Sequence, residues 1–436
     1  MSAVSDLASA LYDPTNQFWS EAELASYIVE ALRTWNALTS FWRQDMTFPL
    51  VLDQWWYDLP SQVGSLRPYT LTDNDLLTMI EYHLLEPLTT TYPLAWTGTL
   101  QFNVQTILDD LQGHRDEVIS LTGCTITRSL RPAALVTRIP LPDDMIDVRR
   151  VTWLPVGGFG YSPTILSPSD LWEKEAFDLG WTVASQGPPA TFMRSAQPPL
   201  AFDVDRVPPV PGDYEILSVN AGAPLQTTAA TLLGVPDDWA WVIKWGALAH
   251  LLSRESNAKD ALRAAYCEKR YEDGQKLMRE SPAVLALRHD NIPIPLDAVR
   301  NGDDYNANWQ ADAAGDPQTA YAAGLNLVGF GPKPDAGPHA ITATVVRNAP
   351  LPVLPTDTVQ IGRDDFEAII HYAQHLAAFK MGGEEFVVTL GLYQDFIDRA
   401  KLYNAKLSEL GCFQRPIYEL SKLEKERNPV YTGEGG

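Results

Sequence analysis

The same apolar-aromatic helix occurs twice in this sequence, and any fold for the chain has to place both copies. Residues 236–252 read PDDWAWVIKWGALAHLL, and residues 363–379 read RDDFEAIIHYAQHLAAF. Aligned without a gap, Asp237, Asp238, Trp239, Val242, Ile243 and Trp245 fall on Asp364, Asp365, Phe366, Ile369, Ile370 and Tyr372. The register persists into the next helical stretch, where Tyr266 falls on Tyr393. Two acidic residues at a helix start suit its unpaired N–H groups and the positive end of its dipole. A register carried through a second helix points further, to internal duplication of a helix pair.

The first copy is apolar on two faces. Trp239, Val242, Ile243, Gly246 and Ala249 form one stripe, and Trp241, Trp245, Leu248 and Leu252 form another. Such a helix is buried on two sides. Either it lies at the centre of a core, or it packs inward on one side and against another subunit on the other. Trp and Tyr are favoured at subunit contacts, and Gly246 with Ala247 would admit a close neighbour. The residues expected at a subunit interface are therefore Trp239, Trp241, Trp245, Gly246 and Leu248, with Phe366, Tyr372 and Phe379 in the second copy.

Elsewhere the patterning alternates between helix and strand. Ser20 with Glu23 reads as a capping box, ahead of Leu24, Ile28, Ala31, Trp35, Leu38 and Trp42 at helical spacing. A strand-like TFPLVL, then WYDLP at 56–60, precede a helix capped by Thr72. A helical face at Val104, Ile107, Leu108, Leu111, Val118 and Leu121 leads to a strand at 134–142, a looser repeat of the same order. Residues 151–235 look β-rich, with a strand at 151–156 and a short helix starting near Ser167. Two strands joined by a Pro-Gly turn at 208–213 follow. Residues 281–340 are rich in Asp, Ala, Gly, Asn and Pro, which predicts an extended arm rather than a packed core. The expected class is α+β: a helical bundle with a β-rich insert, internal duplication and extended arms. Its segments are 1–100 (helical), 101–280 (helix, β-rich unit and helix pair), 281–362 (arm and strands) and 363–436 (second helix pair and tail).

Composition narrows the chemistry. Lys and Arg number 33 against 55 Asp and Glu, a net charge of −22. That argues against simple wrapping of nucleic acid on a basic surface, because phosphate contacts need many Lys and Arg. Cys124, Cys267 and Cys412 are far apart and form no disulfide framework. Neither a signal peptide nor a membrane span is expected. HYAQH places His371 and His375 one helical turn apart but lacks the glutamate and third ligand of a zinc-protease site. HRD at 114–116 lacks the other kinase motifs, and the glycines at 156–160 and 329–331 match no phosphate loop. Asp303, Asp304 and Asn306 do not have calcium-loop spacing. No catalytic, cofactor or metal site is assigned, and a non-enzymatic protein is expected.

Taken in order, these segments resemble the head-to-tail connector proteins of tailed bacteriophages, of the neck adaptor or tail-tubular type. The segments that carry the resemblance are IVEALRTWNALTSFWR at 28–43, WYDLP at 56–60, TRIPLPDDMIDVRRVTWLP at 137–155, LSPSDLWEKE, LAFDVDRVPPVPGDYEILSVN and the helix pair at 235–274. The resemblance spans roughly residues 20–280 and rests on the succession rather than on one motif. It implies a virion protein in the neck that forms a ring of identical copies, twelvefold in most such adaptors. Its implied partners are the portal protein, a tail tube or nozzle protein and further copies of itself. The helix pairs would build the ring wall, DNA would pass through the lumen during ejection without specific binding, and no membrane is involved. The acidic charge would suit a lumen that repels DNA. The tail from about Ser421, with Leu423, Pro429 and Tyr431, would dock into a partner. The rival expectations are a peripheral tail or fibre-attachment protein and a cytosolic enzyme.

Overall fold

The computed structural model describes residues 3–409 apart from 64–66, 85–101, 134–135, 143, 158–159, 178–179, 182–185, 196–199, 256–258, 282, 307–308 and 353–358. The chain opens with α1 (Ala3–Ala10), α2 (Glu21–Thr39), β1 (Arg43–Pro49), β2 (Trp56–Asp58), α3 (Leu59–Val63) and α4 (Asp73–Leu84). Helix α5 (Val104–Thr122) leads into β3 (Ile126–Pro132), β4 (Arg138–Pro140), β5 (Met145–Pro155), β6 (Thr164–Ser169), α6 (Leu171–Phe177), β7 (Thr191–Ser195), β8 (Ala201–Val204) and β9 (Gly212–Asn220). The first helix pair follows as α7 (Ala240–Ser253) and α8 (Ala261–Glu280). Next come β10 (Val284–His289), β11 (Ile292–Ile294), β12 (Leu296–Ala298), α9 (Val299–Tyr305), β13 (Thr319–Ala323), β14 (Leu327–Gly331) and β15 (Ala340–Val346). The second pair is α10 (Arg363–Met381) and α12 (Leu390–Glu409), with the short α11 (Gly383–Val388) at its turn. The fold is α+β, mixing helix and sheet.

Local chemistry explains where the helices begin. The Ser20 hydroxyl accepts the Glu23 N–H at 3.2 Å, while the Glu23 carboxylate turns away to Tyr27 (2.7 Å) and Lys380 (2.9 Å). Only one half of the capping box therefore forms. Thr72 starts α4, with Asp75 reaching back to its N–H at 2.8 Å. The expected helix near Ser167 starts later, because residues 164–169 pair as β6 and the Asp170 carboxylate caps α6 through the Glu173 N–H at 2.6 Å.

Three sheets form. The largest runs β3-β9-β5-β6-β7-β8-β4, antiparallel except for β6 with β7. Strands β8 and β9, on either side of the Pro-Gly turn, both form but are not neighbours: β9 lies between β3 and β5. Its alternation explains the central place. Tyr214 and Ile216 face the sheet's own core, while Leu217 and Val219 face the helices. That sheet core draws on β4 through β9, with Ile139, Val151, Trp153, Phe192, Phe202 and Tyr214 among its members.

Residues 281–340, expected as an arm, instead supply most of two small sheets, β1-β15-β10-β11 and β12-β13-β14-β2. Composition misleads here because the polar residues sit in the turns. The strands read VLALRH, TAYAA, LVGFG and AITATVV, and β14 is buried along its whole length. Strand β1 pairs with β15 from Arg43↔Val346 to Pro49↔Ala340, and β2 pairs with β14. All four sequence segments contribute to one large hydrophobic cluster that runs from Leu7 to Ala400.

Candidate functional site

The two helix pairs meet at a junction that takes up nearly all of the singled-out aromatics. Helices α7 and α8 approach closely at two glycines. A Cβ at Gly246 would come within 2.9 Å of the His114 and Tyr271 rings, and one at Gly274 within 2.7 Å of Val242. The close neighbour expected at Gly246 is thus present, but it belongs to α5 and α8 of the same chain.

Trp239, Trp241, Trp245, Leu248, Tyr372 and Phe379 are all buried, and Phe366 is partly buried. Trp239 and Trp241 stack at 6.3 Å between centroids. Trp245 packs against His83 at 5.4 Å, Phe379 at 5.3 Å and Tyr266 at 5.6 Å. Both apolar faces of α7 are therefore covered by this chain's own helices, which is the central-core alternative. A second copy could not reach these side chains without displacing α4, α5, α8 or α10. Leu423, Pro429 and Tyr431 lie outside the described residues.

Charge is buried inside the same junction. The Arg270 guanidinium donates to the hydroxyls of Tyr372 (2.7 Å) and Tyr393 (3.0 Å). It also lies over the Trp241, Tyr372 and Tyr393 rings at 4.8, 5.5 and 5.1 Å. Ring faces and phenol oxygens thus take the place of water around this cation. Lys244 is paired with Glu30 and donates to His83 Nε2 at 3.0 Å, and Trp245 Nε1 donates to the other Glu30 oxygen at 2.9 Å. Burial first, and then the Lys244 charge, push His83 well below the usual imidazole range. His83 is therefore the neutral acceptor in this cluster.

The residues with motif-like spacing have structural partners. His375 is bound on both nitrogens, to Thr389 Oγ1 (2.9 Å) and Tyr266 Oη (3.1 Å), so it has no lone pair left for a metal shared with His371. Arg115 of HRD spans Asp116 and the Gly222 and Ala223 carbonyls, fixing the loop after β9. Asp303 holds Arg150 at 2.7 Å and the Trp309 indole at 2.8 Å. Asp237 does not cap its own helix but accepts the Thr70 N–H (2.7 Å) and the Leu71 N–H (3.0 Å). Asp238 accepts from Asn36 (2.7 Å) and Ala349 (3.0 Å).

A second hub, not anticipated from the sequence, joins the large sheet to the β12-β13-β14-β2 sheet. Fully buried Glu215 on β9 accepts from Arg128 (2.7 Å), Trp56 Nε1 (3.0 Å) and Gln310 (2.9 Å). Only the unusual acid in the apolar run of β9 could have signalled it. Among the described exposed side chains, Trp172 on α6 is 80 % exposed, with Leu171 beside it.

Part of this architecture has a known counterpart. Residues 104–288 match the family model of the SU10 adaptor protein. The match begins at the first residue of α5 and ends in β10, taking in the large sheet and the first helix pair. It supports a phage adaptor-type protein, one that interacts with other phage structural proteins and is part of the virion. It points to a non-enzymatic role. No curated protein matches the chain. Among the described residues, no helix is long and apolar enough to cross a membrane.

Proposed function

We propose that this adaptor-type protein forms a ring below the portal, joins head to tail and lets DNA pass during ejection. The observation that carries the reading is the match over 104–288, a segment that folds as one helix–sheet–helix-pair unit. The hubs at Arg270 and Glu215 brace that unit against the rest of the chain. A ring component must transmit load between neighbours without changing shape, and buried polar networks that tie distant segments together favour such rigidity.

Because the aromatic stripes are covered, contact between copies falls to the outer surface. Trp172 with Leu171 on α6, and Val387 with Val388 on α11, present the apolar side chains for it. The tail, with Leu423, Pro429 and Tyr431, remains the proposed docking segment for the tail tube or nozzle protein. Portal binding, twelvefold symmetry and an acidic lumen belong to the same proposal.

The test is immunogold electron microscopy of particles from the source lysate, with antibody to the purified chain. Label at the single vertex between capsid and tail is expected. Label on fibres or at the tail tip would replace this reading with the peripheral one. Particles that stay unlabelled, intact and disrupted, would remove the protein from the virion.

A further inference from the structure

Apart from both hubs, His289, Asp316, Asp335 and His339 converge at one end of the β1-β15-β10-β11 sheet. His289 ends β10, directly before a two-residue turn in which Asp290 (φ 50°) and Asn291 (φ 65°) are both left-handed. That tight hairpin fixes its place, opposite Ile292 on β11 and Ile341 on β15. His339 directly precedes β15, and its carbonyl accepts the Leu50 N–H at 2.9 Å. The four side chains therefore come from a hairpin and two loops that the sheet holds in register.

The hydrogen bonds decide how His339 is protonated. Asp335 Oδ1 accepts the Gly337 N–H at 2.7 Å and lies 2.8 Å from His339 Nε2. A carboxylate can only accept, so Nε2 carries a proton, and in the neutral tautomer this leaves Nδ1 with the lone pair. That lone pair faces His289 Nε2 at 3.2 Å and Asp316 Oδ1 at 3.5 Å. A hydrogen bond between the two imidazoles would account for His289 but not for Asp316, whose oxygen then opposes another acceptor. A cation between them resolves the conflict.

The spacing fits such a cation. One atom each of His289, Asp316 and His339 lies within 4.8 Å of the other two. Ligands about 2.0–2.2 Å from a tetrahedral zinc ion stand roughly 3.3 Å apart, close to the two separations above. Mixed imidazole and carboxylate donors suit late first-row divalent ions rather than calcium or magnesium. The carboxylate behind the distal nitrogen of a ligating histidine is the usual device for orienting it. Gly337 makes the loop possible, since a Cβ there would come within 3.0 Å of Asp335 Oδ1 and 3.1 Å of His339 Nε2.

We propose that His289 Nε2, His339 Nδ1 and the Asp316 carboxylate bind one divalent ion of the zinc class. Asp335 positions His339, and the fourth coordination place is open to water. The ion clamps the loops at 312–317 and 332–339 onto the β10–β11 hairpin. The full chain, free of any histidine tag and stripped with chelator, is titrated with Co2+ and followed by its visible ligand-field bands. Saturation at one equivalent with four-coordinate bands, reversed by Zn2+, is expected. Asp316→Asn and His289→Ala should each abolish the bands, Asp335→Asn should weaken binding about 10–100-fold, and His371→Ala should leave it unchanged. Because Asp316 has a side chain 75 % exposed, Asp316→Asn tests the site without disturbing the core. Absence of saturable bands, or bands that persist in both Asp316→Asn and His289→Ala, would overturn the assignment, independently of where the protein sits in a particle.

Discussion

Tyr266 on α8 and Tyr393 on α12 occupy matching positions of the two helix pairs, and their rings meet edge to face with centroids 6.1 Å apart. The repeated pairs therefore pack on each other inside one chain, and Arg270 is enclosed where they meet. Each pair is the other's internal partner, so the aromatic stripe of each finds its cover without a second molecule.

That arrangement makes Tyr372→Phe informative. The substitution keeps the ring and removes the hydroxyl that accepts from Arg270 at 2.7 Å. Losing one hydrogen bond to a buried charge costs about 1.5–3 kcal/mol. Urea unfolding of the purified chain should show that loss, with the denaturant slope unchanged.

Gly274→Ala should destabilise by overpacking, because the new methyl would meet Val242 at 2.7 Å and 3.0 Å. The expected cost is about 1–3 kcal/mol, read as a lower Tm. Replacing Gly391, which has nothing within 4 Å, with Ala is the control and should not lower Tm.

Acid should weaken the junction through its histidines. Burial, then the Arg270 charge, hold His375 down at about 3. In the unfolded chain it protonates near 6.5, so the unfolded state takes up a proton that the folded state refuses. Its contribution is full above 6.5 and is lost as pH falls towards the folded value, reaching about 2 kcal/mol by pH 5. His83 is shifted in the same direction and adds to the loss. Chemical denaturation between pH 7.5 and 5 should show a shallower fall in stability for His375→Gln than for the native chain.

Glu215→Ala should be among the most damaging single changes. It strips the acceptor from Arg128, Trp56 and Gln310 at a fully buried site. Removing one partner of a buried ionic network costs about 3–5 kcal/mol. Limited proteolysis should then cut between the large sheet and the β12-β13-β14-β2 sheet faster than elsewhere.

Two tryptophans should separate folding from assembly. Trp245→Ala empties a core position and should cost about 3–5 kcal/mol. Trp172→Ala, at an exposed site, should change stability by less than about 0.5 kcal/mol. If α6 takes part in docking, Trp172→Ala will still lower incorporation into particles. Normal incorporation would remove α6 from the proposed interface.

Much of the helical structure was legible because its signals are local. Ser20 caps α2, and the apolar stripes of α2, α5 and the repeated pairs follow helical spacing. The two-sided burial of α7 was legible as well, but periodicity cannot say what covers a face. Trp245 meets Phe379 only because distant helices pack. The strands between 284 and 331 were hidden for a related reason. Short strands such as TAYAA acquire their partners from residues far along the chain, while the intervening turns dominate the composition. His289 and His339 share no local motif and meet only through the pairing of β10 with β15.

The pairing of β1 with β15 also bears on timing. Arg43 through Pro49 have no strand to join until Ala340 through Val346 have been synthesised. Helix α2 likewise waits for α10, since Trp19 donates to the Ala377 carbonyl and Glu23 holds Lys380. Such long-range closure slows folding and leaves early segments exposed while they wait. A growing chain on the ribosome thus lacks the finished surface that neighbouring virion proteins would recognise. The closure thus withholds the finished surface until nearly all of the described residues have been made.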